Sequence, residues 1–211
     1  MRILFLSAWL PYPPINGAKI RIFNLIRQLS HNHDIALLAF SQTIPLETVQ
    51  ESIVMLMQYC TDVKVVPMQA FAPKGLSGYK GFFSILPRSV VQTHSVEMEN
   101  VISATLKTRS FDIVIASEVY APALVSFLAS KITGIPKVLD GLEIGLAKES
   151  YYKASNLLQR IRCGMTWSKL LVFSKRMLNN SAACTVPSEQ EKKNFREIAP
   201  PDFPIEVILI A

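Results

Sequence analysis

The stretch that decides the fold is "RILFLSAWLPYPPINGAKIRIFNLIRQLSHNHDIALLAF", residues 2–40. It opens on an apolar run at 2–8 and closes on a second at 34–40, and both have the length of a buried strand. Between them, residues 17–31 repeat apolar side chains at helical spacing. A strand, a helix and a second strand in this order predict a parallel pair joined by a helical crossover.

The same alternation continues along the chain. Further strands are predicted at 62–68, 111–117, 136–140, 182–187 and 205–210. Helices are predicted at 45–59, 94–109, 120–132 and 188–198, with a long, mostly helical stretch at 143–180. Residues 69–93 break the pattern with glycines, aromatics and prolines, and are interpreted as a long loop with one helical turn at most. We therefore predict one α/β domain over 1–211, a Rossmann-like, doubly wound parallel sheet of about seven strands.

The composition indicates a well-filled core. Half of the residues are hydrophobic and the mean hydropathy is +0.28. No apolar run approaches the roughly 18 residues that cross a bilayer. The first apolar run precedes prolines rather than a small-residue cleavage site, so it is interpreted as a strand and not as a signal peptide. Cys60, Cys163 and Cys184 are scattered, which disfavours a metal site or a disulfide framework and fits a reducing cytoplasm.

The charge is unevenly distributed. The net charge is +6, and residues 150–188 hold six Lys or Arg and no Asp or Glu. Such a segment suggests an anionic partner. Its apolar residues are dense enough to face a core, and its cations either contact anionic lipid at the inner membrane face or form a solvated outer face. Nucleic acid is not favoured, because the chain has no recognised reader motif.

The loop "LPYPPINGAKIR", residues 10–21, is a candidate binding loop. It lacks G-x-G-x-x-G, so an NAD enzyme is not favoured. Gly17, after Asn16, would let the backbone approach a ligand, and the helix start beyond it suits a phosphate. Arg21 lies about one turn further and could pair with the same anion. The alternative is a plain Asn-Gly turn with a solvated Arg21.

Acidic residues follow two of the predicted strands. Ser117 and Glu118 end one strand, and Asp140 and Glu143 follow the next. Carboxylates in the cleft at strand ends are candidates for a general base or for recognition of hydroxyl groups. The alternative is helix capping by Asp140, with Glu143 as its capping-box partner.

Two further sites have a structural alternative to a functional role. Ser188 and Glu191 form an S-x-x-E capping box, which favours structure over function. His94 follows the irregular stretch and is either a substrate-binding residue or an ordinary surface or cap residue.

Together these segments resemble the N-terminal part of the family 4 (group 1) GT-B glycosyltransferases. The similarity is greatest to the sugar transferases of exopolysaccharide and PEP-CTERM export systems, whose pattern "PYPP…G.K.R…L.R.L…H" is matched from Pro11 to His33. The segments "FDIVIAS", "VLDGLE" and "CTVPSEQEKKNFREIAP" follow in the order that the family uses.

The resemblance implies one half of a GT-B fold, the acceptor-binding domain of a retaining, metal-independent transferase. The nucleotide-sugar would be held by a second domain beyond Ala211, and the isolated chain would be inactive. No other cofactor is implied, and the acceptor would be a polysaccharide or a lipid-linked saccharide. The residues that match functional positions fall into two groups. The catalytic candidates are Glu118 and Asp140, and the substrate-binding candidates are Asn16, Gly17, Arg21, His94, Ser117 and Glu143.

Two departures from the family pattern bear on these assignments. Ala18 stands where many members have a second glycine, and Ser117 and Glu118 stand where many have a histidine. Two alternatives also stay open: a non-catalytic binding or scaffold protein, and a Rossmann-like protein for another anionic metabolite.

Overall fold

The computed structural model describes residues 1–41, 46–68, 83–118 and 124–209. In these ranges the strands are β1 (Arg2–Ser7), β2 (Asp34–Ser41), β3 (Asp62–Pro67), β4 (Ile113–Ser117), β5 (Lys137–Asp140), β6 (Ala183–Val186) and β7 (Ile205–Val207). The helices are α1 (Gly17–Ser30), α2 (Leu46–Leu56), α3 (Arg88–Gln92), α4 (Val96–Thr108), α5 (Leu124–Ser130), α6 (Gly145–Tyr152), α7 (Leu157–Asn179) and α8 (Glu189–Arg196).

The described strands form one seven-stranded sheet in the order β3-β2-β1-β4-β5-β6-β7, and every neighbouring pair is parallel. The chain winds outward from β1 to β3, returns to the other side of β1 with β4, and continues to β7. The predicted doubly wound, Rossmann-like sheet is therefore confirmed. Its switch point lies between β1 and β4, where ligands bind in folds of this kind.

The two faces of the sheet are buried in separate cores. Along β1, Ile3 and Phe5 pack with Ile22 of α1 on one face, whereas Leu4 and Leu6 pack on the other. Because both faces are covered, the central strands β1 and β2 are continuously buried and apolar rather than alternating. This burial is the reason that apolar runs marked the strands so well in the sequence.

The helix starts follow their capping residues. The side chain of Asn16 accepts the Lys19 N–H at the start of α1, and Ser95 accepts the Met98 N–H at the start of α4. The predicted helical stretch 143–180 divides into α6 and α7, because Asn156 begins a new helix by accepting the Gln159 N–H.

Some predictions fall partly outside the described residues. Most of the predicted loop 69–93 does so, and its described part contains the short helix α3. The first residues of the predicted helix 120–132 also lie outside, and the described helix begins at Leu124.

Candidate functional site

Polar side chains line up where the central strands end. The strand register pairs Ser7 with Ser117 across β1 and β4, and Ser117 with Asp140 across β4 and β5. Paired residues of neighbouring strands point to the same face of a sheet. The sheet therefore brings the predicted Ser117 and Asp140 together beside the switch point.

Asp140 is the centre of this cluster. Its carboxylate accepts hydrogen bonds from the Ser117 hydroxyl at 2.6 Å, the Thr185 hydroxyl at 2.6 Å and the Arg21 guanidinium at 2.6 Å. The residue is 1% exposed. With three donors, one of them a cation, both oxygens of this buried carboxylate are engaged and the group is held in one orientation.

Arg21 reaches this carboxylate from the first turns of α1. Its Nη2 also donates to the Thr185 hydroxyl at 3.0 Å, and its Nη1 donates to the Ile208 carbonyl. The Nε of Arg21 is buried and has no hydrogen-bond partner among the described residues. Since the side chain is only 2% exposed, the alternative of a solvated Arg21 is wrong.

The capping alternative for Asp140 is also wrong. Helix α6 begins at Gly145, and its N-cap residue, Ile144, makes no side-chain capping bond. The Ile144 and Gly145 N–H groups donate instead to the Glu191 carboxylate, at 3.1 and 2.8 Å. Ser188 accepts the Glu191 N–H, as the capping box predicts, but the Glu191 side chain binds the start of a different helix.

Glu143 lies beside these charges without a bond of its own. It is half-buried, and no described residue forms a hydrogen bond or an ion pair with its carboxylate. Burial raises the pKa of Glu143, the charge of Glu191 raises it further, and the charge of Arg21 lowers it. An unengaged carboxylate at the carboxyl edge of the sheet is free to accept hydrogen bonds from a ligand.

Glu118 occupies a different environment. The residue is 4% exposed, and its carboxylate accepts the Ser126 N–H of α5 at 2.8 Å. Burial raises the pKa of Glu118 to about 7, although hydrogen bonds from Ser126 and Val125 oppose the shift. A carboxyl that changes protonation near neutrality is suited to proton transfer.

The candidate binding loop leads directly into α1, the helix that carries Arg21. Asn16 is exposed and caps the helix through the Lys19 N–H at 3.0 Å. The Lys19 side chain is buried, and burial lowers its pKa. Lys19 and Thr185 were not among the candidates from the sequence. Lys19 belongs to the matched pattern "G.K.R" but was assigned no role there, and a threonine in a strand carries no pattern of its own.

His94 contacts another part of the molecule. Its Nε2 lies 2.7 Å from Glu99 Oε1, its ring packs against Phe127, and Glu99 also pairs with Lys131. None of these contacts, all within the described ranges, joins His94 to the residues around Asp140.

No protein-family model and no curated protein matches this chain. Among solved structures it is similar to the N-terminal domain of Candida albicans trehalose-6-phosphate phosphatase. That match has a TM-score of 0.53 and 14% identity, over 99% of this chain and 48% of the other. It shows a shared fold.

Two more solved structures are similar with lower scores. The UDP-GlcNAc 2-epimerase of Methanocaldococcus jannaschii has a TM-score of 0.46 and 15% identity, over 99% of this chain and 45% of the other. Arabidopsis thaliana UGT89C1, complexed with UDP, has a TM-score of 0.46 and 9% identity, over 99% of this chain and 49% of the other. The chain thus spans about half the length of these three solved structures.

Membrane spans and metal clusters are both absent from the described part of the chain. In residues 1–41, 46–68, 83–118 and 124–209, no helix is both long and apolar enough to cross a bilayer. The same residues contain no group of three or more His, Cys, Asp or Glu side chains arranged to hold a metal ion.

Proposed function

We propose that this chain is the acceptor-side half of a family 4 GT-B glycosyltransferase of the exopolysaccharide type. The full enzyme transfers a sugar, with retention, from a nucleotide-sugar to a polysaccharide or lipid-linked acceptor in the cytoplasm. One observation carries the proposal. The segments that resemble the family meet beside the switch point, where Arg21 from the first loop and helix binds Asp140 next to Ser117.

In this proposal each residue of the site has a separate role. Arg21 and Asp140 hold the strand ends and the binding loop in one geometry, and Asn16 and Gly17 form the loop that faces the donor phosphate. Glu143, which has no bond to a described side chain, accepts hydrogen bonds from acceptor hydroxyls. Glu118, whose pKa burial raises to about 7, takes or returns a proton.

The chain by itself is proposed to be inactive. Sugar transfer requires stabilisation of the leaving diphosphate by fixed charges and N–H groups, and in this proposal a second domain supplies them. The domain over 1–211 then contributes acceptor binding, the loop that faces the donor phosphate and the Glu118 carboxyl, but not the groups that stabilise the leaving diphosphate. His94 remains a prediction for acceptor contact at a more distant position.

Binding and turnover measurements test the proposal. Oligosaccharides and UDP- and GDP-sugars are titrated into the chain by calorimetry, with Glu143→Gln as the site variant and the exposed Glu51→Gln as control. Losing a charge-assisted hydrogen bond should weaken saccharide binding about tenfold or more in Glu143→Gln only. Turnover of a nucleotide-sugar by residues 1–211, or equal saccharide affinity in both variants, contradicts the proposal.

A second candidate is a non-catalytic binding or scaffold protein. It is favoured by the engagement of both catalytic candidates, since Asp140 accepts three donors and Glu118 binds the start of α5. The coding sequence beyond Ala211 separates the two. A downstream E-x₇-E motif supports the transferase, whereas a stop codon supports the scaffold.

The proposal includes peripheral contact with an anionic membrane through the basic segment 150–188. A transferase with a lipid-linked acceptor works at a bilayer surface, and a basic segment is attracted to anionic lipid.

A further inference from the structure

Helix α7 is much longer than the part of it that packs on the core. It spans Leu157–Asn179, about 34 Å at the rise of an α-helix. Its buried side chains, however, all lie in its last turns, at Phe173, Ser174, Met177 and Leu178. The neighbouring strands β5 and β6 have four residues each, or about 13 Å. The first half of α7 therefore lacks buried side chains.

That first half presents large apolar side chains to solvent. The exposed fractions are 73% for Leu157, 81% for Leu158, 51% for Ile161 and 36% for Met165, and Val172, further along the helix, is 61% exposed. Leu157, Ile161 and Met165 follow one another at intervals of four, so they share one side of the helix. The sequence predicted that the apolar residues of this segment face a core, and for these five the prediction is wrong.

The exposed stripe belongs to a helical hairpin. Helix α6 packs against α7, and a Cβ at Gly164 of α7 would lie 3.0 Å from the Tyr151 ring of α6, so glycine allows this close approach. Arg160 lies 5.8 Å from the same ring. Tyr152, which is 71% exposed, ends α6 directly before the connection to Leu157. The tip of the hairpin is therefore apolar and aromatic as well.

Cations flank this stripe. Arg162, Lys169 and Arg176 recur at every seventh residue, which sets them along one edge of the helix. Arg162 and Arg176 are exposed, and Lys169 is half-buried. Glu149, an acid of the neighbouring helix α6, is paired with Lys153. An apolar face with a row of cations beside it is the pattern of a helix that lies in a membrane interface.

We infer that the exposed side of α7 lies in the interface of a bilayer that contains anionic lipid and inserts Leu157, Leu158 and Ile161 into it. Burying the apolar side chains supplies the hydrophobic part of the binding, and the cations beside them bind lipid headgroups. A second copy of this chain fits the surface less well, because both copies would bring the same row of cations to the contact. The inference specifies the partner surface of the proposed function and rests on it for the membrane-bound acceptor.

Vesicle sedimentation tests the insertion. The whole chain is mixed with vesicles of phosphatidylcholine alone, or with about one third phosphatidylglycerol, in the absence of any sugar. The wild type should bind the anionic vesicles and release them as salt is raised. Leu157→Gln/Leu158→Gln should lose at least tenfold in affinity. The control pair Val54→Gln/Val96→Gln, which replaces exposed apolar residues elsewhere, should bind like the wild type.

Two double variants that each remove two cations separate the electrostatic part of vesicle binding from the hydrophobic part. Arg162→Gln/Arg176→Gln should bind about fivefold more weakly per cation, whereas Arg27→Gln/Lys107→Gln, with exposed cations on other helices, should not change binding.

Three results would overturn the inference. They are equal binding to neutral and anionic vesicles, unchanged binding of the double-leucine variant, and concentration-dependent dimerisation that this variant abolishes. Glu143→Gln should bind vesicles normally. If saccharide binding fails the Glu143→Gln test but vesicle binding is as expected, the proposed function alone is rejected. If saccharide binding is as expected but vesicle binding fails, the insertion alone is rejected.

Discussion

The guanidinium of Arg21 lies 2.6 Å from the Asp140 carboxylate, although 119 positions separate the two residues in the chain. Both side chains are almost fully buried, at 2% and 1% exposed. Through Thr185 and the Ile208 carbonyl, the same arginine also contacts β6 and the residue after β7. One side chain thus joins the first helix to the carboxyl edge of the sheet from β5 onward.

Removing the cation should destabilise the fold strongly. Arg21→Met leaves the Asp140 charge buried with only the two hydroxyl donors. We expect the free energy of unfolding to fall by about 3–5 kcal/mol, as for other broken buried ion pairs. Urea unfolding, followed by circular dichroism, measures the change.

An exposed ion pair provides the control. Lys153 pairs with Glu149 one turn away on a solvated surface, where the side chains are 75% and 53% exposed. Lys153→Gln should cost at most about 0.5 kcal/mol. A loss as small as this in Arg21→Met would show that the buried pair does not organise the strand ends.

The sequence predicted the sheet well because its central strands are buried on both faces. A continuous apolar run of four to eight residues is typical of a buried strand when predicted helices separate the runs. The sequence also placed Ser117 and Asp140 at the ends of two predicted strands in one cleft, since parallel strands end at the same edge of a sheet. The pairing of Arg21 with Asp140 was not predicted, because it depends on how far a side chain reaches between distant segments.

Helix α7 shows a second limit of prediction from sequence. Periodicity shows which residues of a helix share a side, but not whether another element covers that side. Ile161 and Phe173 are both large and apolar, yet the first is 51% exposed and the second only 4%. The difference arises because the sheet lies beneath the last turns of the helix and not beneath the first.

The stability of the chain should depend on the protonation of Glu118. Burial raises the pKa of this carboxyl from 4.5 to about 7. Between these values the folded chain binds more protons than the unfolded chain, so the contribution of Glu118 to stability falls as the pH rises from 4.5 to 7. Glu118→Gln lacks this contribution and keeps an oxygen for the Ser126 N–H.

Unfolding at two pH values measures this effect. Relative to that of the wild type, the free energy of unfolding of Glu118→Gln should increase by up to about 3 kcal/mol between pH 5 and pH 8. A free-energy difference between the two proteins that is the same at both pH values would contradict the shifted pKa.

The three cysteines should react at different rates. Burial raises the pKa of the Cys60 and Cys184 thiols to about 12, so neither forms the reactive thiolate near neutral pH. Cys163 is partly exposed on α7. At pH 8 the native chain should therefore show one fast equivalent with a thiol reagent, and Cys163→Ser should abolish it. Fast reaction of a second thiol in native Cys163→Ser would contradict the burial of the other two.

Glu191 should make Gly145 difficult to replace. A Cβ at Gly145 would overlap the Glu191 Oε1 atom, which accepts the Gly145 N–H. In Gly145→Ala the carboxylate must move away, and the start of α6 loses the acceptor for two N–H groups. We expect a loss of about 1–3 kcal/mol, although alanine otherwise favours a helix over glycine.

A double-mutant cycle assigns this loss to the carboxylate. Glu191→Ala removes the overlapping atom together with the capping bonds, so the first helical turn is already open to solvent in that background. Gly145→Ala should then be neutral or slightly stabilising, and the two substitutions should show a coupling energy of at least about 1 kcal/mol. Unfolding of the four proteins in urea completes the cycle. Additive losses would show that the cost at position 145 arises from the backbone and not from Glu191.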